Sequence, residues 1–461
     1  MTRLGILTAS ICLSLAGPVF GQQPVFVDND PTITFRDGLS WATAFEHVQE
    51  GIDAAEGQVP PGNEVLVAEG TYSPTIQWSG SGDPRAYTFL MKDGVNLRGG
   101  YLGGPNGSVN PKTPDGSYEE TILSGAGPGG GMYHVVVSQV NFVTSECIID
   151  GFAITGGNAN DSSFPHDRGG GLFVFTAPTH VENVTFRQNK AVLGGGAYSI
   201  GNTGKELHIR WSSFRGNWAT KGAGFYVDPS QDLEICNVRF RNNGNLDTTL
   251  VGGGMYVAEG VILKASNCLF DGNAAKDAGG GIYVKLTPDL PSTDNHEWRH
   301  CTVALNEIQH PSSNGAGMHY GGGVGSPATL TNSILYDNAN NGGVDLYVQS
   351  PGTLTYSYCN IGISTGGTAG LGNMSQDPLF VNPADRNFRL RGPTMLLPWS
   401  PCLDAGRNSQ TGSDFLDVDD NGVDDVNLLV DLDLRFRWID IPSVGSTETA
   451  DMGAYETPGS N

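Results

Sequence analysis

The chain lacks any segment that could cross a bilayer as a helix. Its most apolar stretch, residues 4–15, falls short of the roughly 18 to 20 uninterrupted apolar residues such a helix needs. Arg3 precedes that stretch and the small-residue pattern Val19-Phe20-Gly21 follows it, the layout of a secretory signal peptide over residues 1–21. Cys12 sits inside the apolar region without the context of a lipid-modified first residue, so no lipid anchor is expected. Positive charge is scarce as well, with 25 basic residues against 48 acidic ones and a net charge of -23, one unit lower once Arg3 is removed. Such an acidic surface excludes nucleic acid and anionic lipid as partners, because both would be repelled. Cysteine is sparse: seven in all, and six (Cys147, Cys236, Cys268, Cys301, Cys359, Cys402) once the leader is gone. An exported protein can pair an even number, but a chain this long needs no staples. Cys268 and Cys301 occupy equivalent positions two residues before Phe270 and Val303, which predicts buried thiols stacked in successive repeats.

Glycine is abundant: 66 residues, about twice the usual ~7% share. Much of it belongs to a repeat. One signature is an apolar residue, two variable residues and an asparagine, ending at Asn189, Asn217, Asn243, Asn273, Asn306 and Asn338 with spacings of 28, 26, 30, 33 and 32. The other is a glycine cluster followed by apolar residues, from Gly169, Gly194, Gly222, Gly252 and Gly279. A period near 30 leaves no room for a strand plus a crossover helix, but suits two or three short strands with tight corners. The fold predicted is all-β, a right-handed parallel β-helix of the pectin-lyase-like kind. Phe186, Phe214, Phe240, Phe270, Val303 and Leu335 should form one core column, and the asparagines a second column at a corner, where Asn tolerates left-handed backbone and stacked amides bond from coil to coil.

Residues 22–62 read as a first strand and a capping helix, with Trp41, Ala44, Phe45, Val48 and Ile52 on one face and Ser40 as N-cap. Residues 63–395 read as coils, and 396–461 as an acidic C-terminal segment ending in DMGAYE. The stretches FVDND, GLSWATAF, VAEGTY, MKDGVNLRGGY, ETILSG, IIDGFAITGGNAN, PHDRGGG and DMGAYE resemble secreted right-handed parallel β-helix proteins of planctomycete type, whose C-terminal region is called the choice-of-anchor Q domain. The FxxN and GGGxY repeats are also similar to those of chlamydial polymorphic outer membrane proteins, which are adhesins. The resemblance implies this fold and a secreted or cell-surface location, and supplies no catalytic residues. The chain stops at Asn461, six residues after Tyr455, where members commonly continue into a sorting segment, which favours free secretion.

Catalysis in such a solenoid would need clustered carboxylates or a calcium site with a basic residue, and the coils carry no such motifs. Their densest polar cluster is His166, Asp167 and Arg168, where Arg168 or His166 would be the base; neighbours on a strand point to opposite faces, so a solvated loop is the simpler expectation. His180, His208, His296, His300, His310 and His319 show no repeated metal-ligand spacing. In DVDDNGVDD, Asp417, Asp419, Asn421 and Asp425 match positions of an EF-hand-type loop, with Leu428 where the bidentate Glu would stand; structural calcium is the expectation. Tyr198, Tyr226, Tyr256 and Tyr283 follow the glycines in register and would either stack on sugar rings or on each other. The leading expectation is a secreted or cell-surface, non-catalytic, monomeric protein that binds glycans or surface material. A polysaccharide lyase or glycoside hydrolase is the alternative.

Overall fold

The computed structural model describes residues 23–455 apart from 61, 79–81, 105–119, 140–142, 202–205, 230, 287–294, 310–314, 322–327, 339–343, 393–397, 408–431 and 433–449. The leader and Asp417–Asp425 therefore lie outside the described residues. In one coil, Ala197–Ile200, Glu206–Arg210 and Ser213–Arg215 follow one another, and each pairs in parallel with its equivalent in the next, Phe225–Val227, Asp232–Cys236 and Arg239–Arg241. Repetition builds three long faces. The first contains Glu206–Arg210, the second Ser213–Arg215 and the third Ala197–Ile200. Phe186, Phe214, Phe240, Phe270, Val303 and Leu335 are direct neighbours on the second face. All six are buried, and the four phenylalanines stack at 4.6, 4.9 and 4.5 Å. The fold is a right-handed parallel β-helix, as the repeat period predicts.

The asparagine column forms, but for a different reason from the one expected. Left-handed backbone falls on the residue before each asparagine: Gln188, Gly216, Asn242, Gly272, Leu305 and Asp337. This turns the asparagines inward, where Asn189, Asn217, Asn243, Asn273 and Asn306 are fully buried and Asn338 nearly so. From Asn217 onward each Oδ1 accepts from the main-chain N–H and the Nδ2 of the asparagine one coil earlier, as Asn243 does from Asn217 at 3.1 and 3.0 Å, while Asn189 Oδ1 accepts from the Gly157 N–H at 3.0 Å. Each Nδ2 also donates to a carbonyl, that of Asn243 to Phe214 at 2.8 Å. The run closes on Asp345, which accepts from Asn338 N–H and Nδ2 at 2.8 and 2.9 Å. Glycine makes room beside it: a Cβ on Gly196 would lie 2.5 Å from the Gly224 carbonyl, and Gly222 holds φ +58°. The other corner is left-handed at Asn183, Trp211, Asn237, Asn267, His300, Asn332 and Tyr358. Just after it, Cys268, Cys301 and Cys359 share one inward column with Ser212 and Ser333, each donating to the carbonyl two residues back. All six cysteines are buried free thiols.

The N-terminal helix is shorter than the sequence implies. It runs Val48–Ala55, with His47 at the N-cap and Glu50 accepting from the His47 N–H at 3.1 Å. Trp41 lies instead in the 3-10 turn Trp41–Thr43 and meets Phe26 edge-on at 4.9 Å, Phe45 pairs with Val27, and Ser40 bonds to Thr43. Those apolar residues seal the first coil by strand-like packing, so the 3.6-residue pattern through them was accidental. Val48, Ile52 and Ala55 are fully buried in the continuous core with Val27 and Val65.

The last solenoid strand is Thr368–Ala369. Beyond it the chain folds back over the second face. Phe380–Asn382 and Asn387–Leu390 form an antiparallel pair, and Phe380, Phe388, Cys402, Met452 and Ala454 join a core with Leu269, Ala304 and Ile334. Residues 451–455 of the DMGAYE motif are part of this cover: Gly453 N–H donates to Asn332 O at 2.7 Å and Ala454 N–H to Thr302 Oγ1 at 3.0 Å.

Candidate functional site

The second face is partly covered, whereas the first face presents Arg98, His208, Arg210, Lys264, Glu297 and Arg299 half-buried at its surface, with Asp150, Glu182, Glu234, Cys236 and Thr331 buried between them. Its inward positions are apolar, including Ile149, Val181, Ile209, Ile235 and Ala265. Strand alternation therefore turns Glu206, Asp232, Ile262 and Asn295 outward at the start of the strands and, after them, two longer columns. One runs Arg98, Asp150, Glu182, Arg210, Cys236, Ser266, Arg299, Thr331; the other His180, His208, Glu234, Lys264, Glu297, Thr329. Each basic group in these columns has an acidic partner on the face. Arg98 bridges Glu64 at 2.5 Å and Asp150 at 2.8 Å, Arg210 holds Glu182 at 2.8 Å, and Arg299 holds Glu297 at 2.6 Å. Lys264 pairs with Glu234. His180 and His208, for which the sequence gives no metal-ligand spacing, are coil neighbours whose rings stack at 4.5 Å. Burial, and then the adjacent His208, push the His180 pKa down to about 4. The signal for these columns was present: they lie four and six residues before the phased Phe186–Phe214–Phe240 column.

The third face carries the tyrosines. Phe173, Tyr198, Tyr226, Tyr256, Tyr283, His319 and Tyr347 are consecutive neighbours, and the four tyrosines stack at 5.4, 4.4 and 5.3 Å. Their ring faces are turned to one another, and Tyr198, Tyr226 and Tyr256 are buried. At one end Arg168 is clamped by Asp167 at 2.7 and 2.9 Å and donates to the Tyr198 hydroxyl at 2.8 Å, while that hydroxyl donates to Asp228. Although burial works against its charge, Asp167 and Tyr198 hold the Arg168 pKa above its usual value, the opposite of what a general base requires. Burial raises the Asp228 carboxyl, against the Tyr198 hydrogen bond and Arg168. His166 points elsewhere, stacked on Tyr133 at 4.1 Å. The structure thus joins Asp167 and Arg168 and separates His166.

His134 and His296 are buried, and burial pushes both down to about 4. One carboxyl pair escaped the sequence reading: Glu69, just before Gly70–Tyr72, shares a hydrogen bond with Glu120, just before the neighbouring strand Thr121–Ser124, and burial followed by that bond raises its pKa. Among the described residues, no group of three or more His, Cys, Asp or Glu has the arrangement of a metal site.

The family described as "Right handed beta helix region" matches residues 134–296. No curated protein matches the sequence. Among solved structures, the chain is similar to pectate lyase Pel9A, with 12% identity, a TM-score of 0.43 and coverage of 95% of this chain and 97% of that one. A tailspike protein, gp49 of Acinetobacter baumannii bacteriophage Fri1, described as a capsular polysaccharide depolymerase, has 11% identity, TM-score 0.36 and coverage of 81% and 67%. An alginate lyase from Paenibacillus sp. str. FPU-7 has 14% identity, TM-score 0.27 and coverage of 71% and 96%. None of these likenesses is close enough to transfer an activity.

Proposed function

We propose that this is an exported or cell-surface β-helix protein that holds extended glycan chains along its first face without cleaving them. The observation that carries the reading is the first face: two in-register columns of mostly charged and hydrogen-bonding side chains, one position per coil, whose half-exposed basic groups Arg98, Arg210, Lys264 and Arg299 lie over buried partners. Neighbouring strands lie about 4.7–4.9 Å apart, a step that offers successive sugar residues one polar position per coil, differing in kind from coil to coil. Pairs such as Arg98–Asp150 and Arg210–Glu182 fix each other, so donors and acceptors are preorganised and little ordering cost remains for the ligand to meet. Each contact is weak, and affinity accumulates along the coils. The planctomycete-type and adhesin-like resemblances, export through residues 1–21 and structural calcium at Asp417, Asp419, Asn421 and Asp425 belong to the same proposal. The tyrosine column is assigned to holding the third face together.

A second reading, hydrolysis, has the Glu69–Glu120 pair in its favour. Carboxyls in direct hydrogen-bond contact are closer than the roughly 5–5.5 Å separation of a retaining pair, which weighs against it. Affinity electrophoresis against a polysaccharide panel, with reducing ends and unsaturated products followed in parallel, separates the two. Retention of at least one polymer without products is expected, weakened several-fold by Lys264→Gln combined with Arg299→Gln. Products that vanish in Glu69→Gln would establish the enzyme instead, and failure to retain any polymer would sink the binding proposal.

A further inference from the structure

Where the C-terminal hairpin folds over the last coils it leaves a cleft of about 270 Å³. Tyr336, Phe388 and two leucines, Leu305 and Leu379, give it apolar walls, and Asp337, Asp377 and Arg391 add charged groups to its lining. Backbone strain converges on it. Leu305 (φ 56°) and Leu379 (φ 49°) are the only aliphatic residues with left-handed backbone among the described residues, and Asp337 (φ 58°) is a third lining residue in that region. A bulky side chain there is an outlier, and such strain concentrates at ligand sites. Earlier coils fill the corner position of Leu305 and Asp337 with Gln188, Gly216, Asn242 and Gly272, so the change to a leucine and an aspartate coincides with the cleft. The conformation is held from both sides: Leu379 N–H donates to Asp377 Oδ1 at 2.9 Å, and Arg391 N–H donates to Leu379 O at 3.1 Å.

We infer that this cleft is a binding site for a single neutral pyranose ring. Its volume is just under the roughly 300–1,000 Å³ of pockets for drug-sized ligands, which sets the size at about one ring. Two carboxylates disfavour phosphate, sulfate or uronate, and they are too few to hold a metal ion, since among the described residues no group of three or more His, Cys, Asp or Glu has the arrangement of a metal site. A pyranose offers what remains: a C–H face for the half-buried Tyr336, and hydroxyls for the exposed Asp337 and Asp377 and for Arg391. Burial, followed by the charges of Asp377 and Asp337, raises the Tyr336 pKa, so its hydroxyl stays a donor.

The site stands on its own geometry and does not require the first-face reading. Saturation-transfer NMR and calorimetry on the full chain, with glucose, galactose, mannose, N-acetylglucosamine, glucosamine and glucuronate, test it. At least one neutral sugar should bind with a millimolar Kd. Asp377→Asn should weaken it at least tenfold, and the milder Tyr336→Phe, checked for an unchanged melting curve, two- to fivefold, while Lys264→Gln with Arg299→Gln leaves it unchanged. Absence of any signal, preference for glucosamine or glucuronate, or indifference to both cleft substitutions would each overturn the assignment.

Discussion

Replacing Asn243 by alanine removes one rung from the middle of the asparagine column, and the loss can be worked out bond by bond. The Asn217 N–H loses its acceptor at 3.1 Å and the Phe214 carbonyl its donor at 2.8 Å; the Asn217 and Asn273 amides each lose one of their contacts. Burial there is complete, so water cannot substitute. Two orphaned backbone groups at about 1–3 kcal/mol each, plus the weakened amides, give a destabilisation of about 3–6 kcal/mol. That approaches the whole margin of a domain, about 5–15 kcal/mol. Because coils contact only their neighbours, the loss should also loosen the coupling across the rung, and unfolding should spread into two steps. Urea titration followed by circular dichroism reads both effects. With a slope of about 3 kcal/mol per molar, the midpoint should fall by about 1–2 M. A fall equivalent to less than about 1 kcal/mol would refute the reasoning, because it would mean that the buried groups find other partners.

Acid should weaken the fold in a defined window. His134 and His296 titrate near 4 when folded and near 6.5 when unfolded, so below pH 6.5 the unfolded chain takes up protons that the folded one refuses, and stability falls until about pH 4. Each histidine contributes about 3 kcal/mol across that range; urea midpoints at pH 7 and 5 measure it, and His296→Gln should flatten the slope. The six cysteines should resist alkylation in the native state, since burial pushes Cys147 up to about 11 and Cys359 and Cys402 up to about 12; rapid labelling before unfolding would contradict their placement. Calcium should raise the melting temperature and a chelator lower it if residues 417–425 bind the ion, and identical melting curves would dismiss that proposal.

The core was legible because one residue type per coil announced it. Phe186, Phe214 and Phe240 set the phase, and every other column follows from offsets to them. Glu182, Arg210 and Arg299 went unread only because charged residues vary from coil to coil, so no motif draws attention to them. The glycine and asparagine corners were located correctly, whereas the left-handed residue was misplaced by one, because Gln188 and Leu305 are not residues that advertise that conformation. The helix start failed through local ambiguity: Trp41 and Phe45 fit a helical face as well as they fit a strand edge. The C-terminal cover lay beyond the reach of sequence pattern, since Ala454 meets Thr302 across 152 residues with no repeat to relate them.

The asparagine column has a direction. Each rung accepts from the coil before it and donates towards the coil after it, so any coil carrying an asparagine at this position presents the same connector at both ends. A duplicated unit such as residues 244–273 could therefore be spliced in after Asn243 and find its bonds already waiting. Asp345 differs, because both its carboxylate oxygens are occupied as acceptors, one by Asn338 and the other by the Ile363 N–H at 2.8 Å. It has no amide to pass on. It also comes from a different place in the coil, seven residues after Asn338 and level with Gly317, so the column ends where a carboxylate from the glycine corner takes the place of a further asparagine.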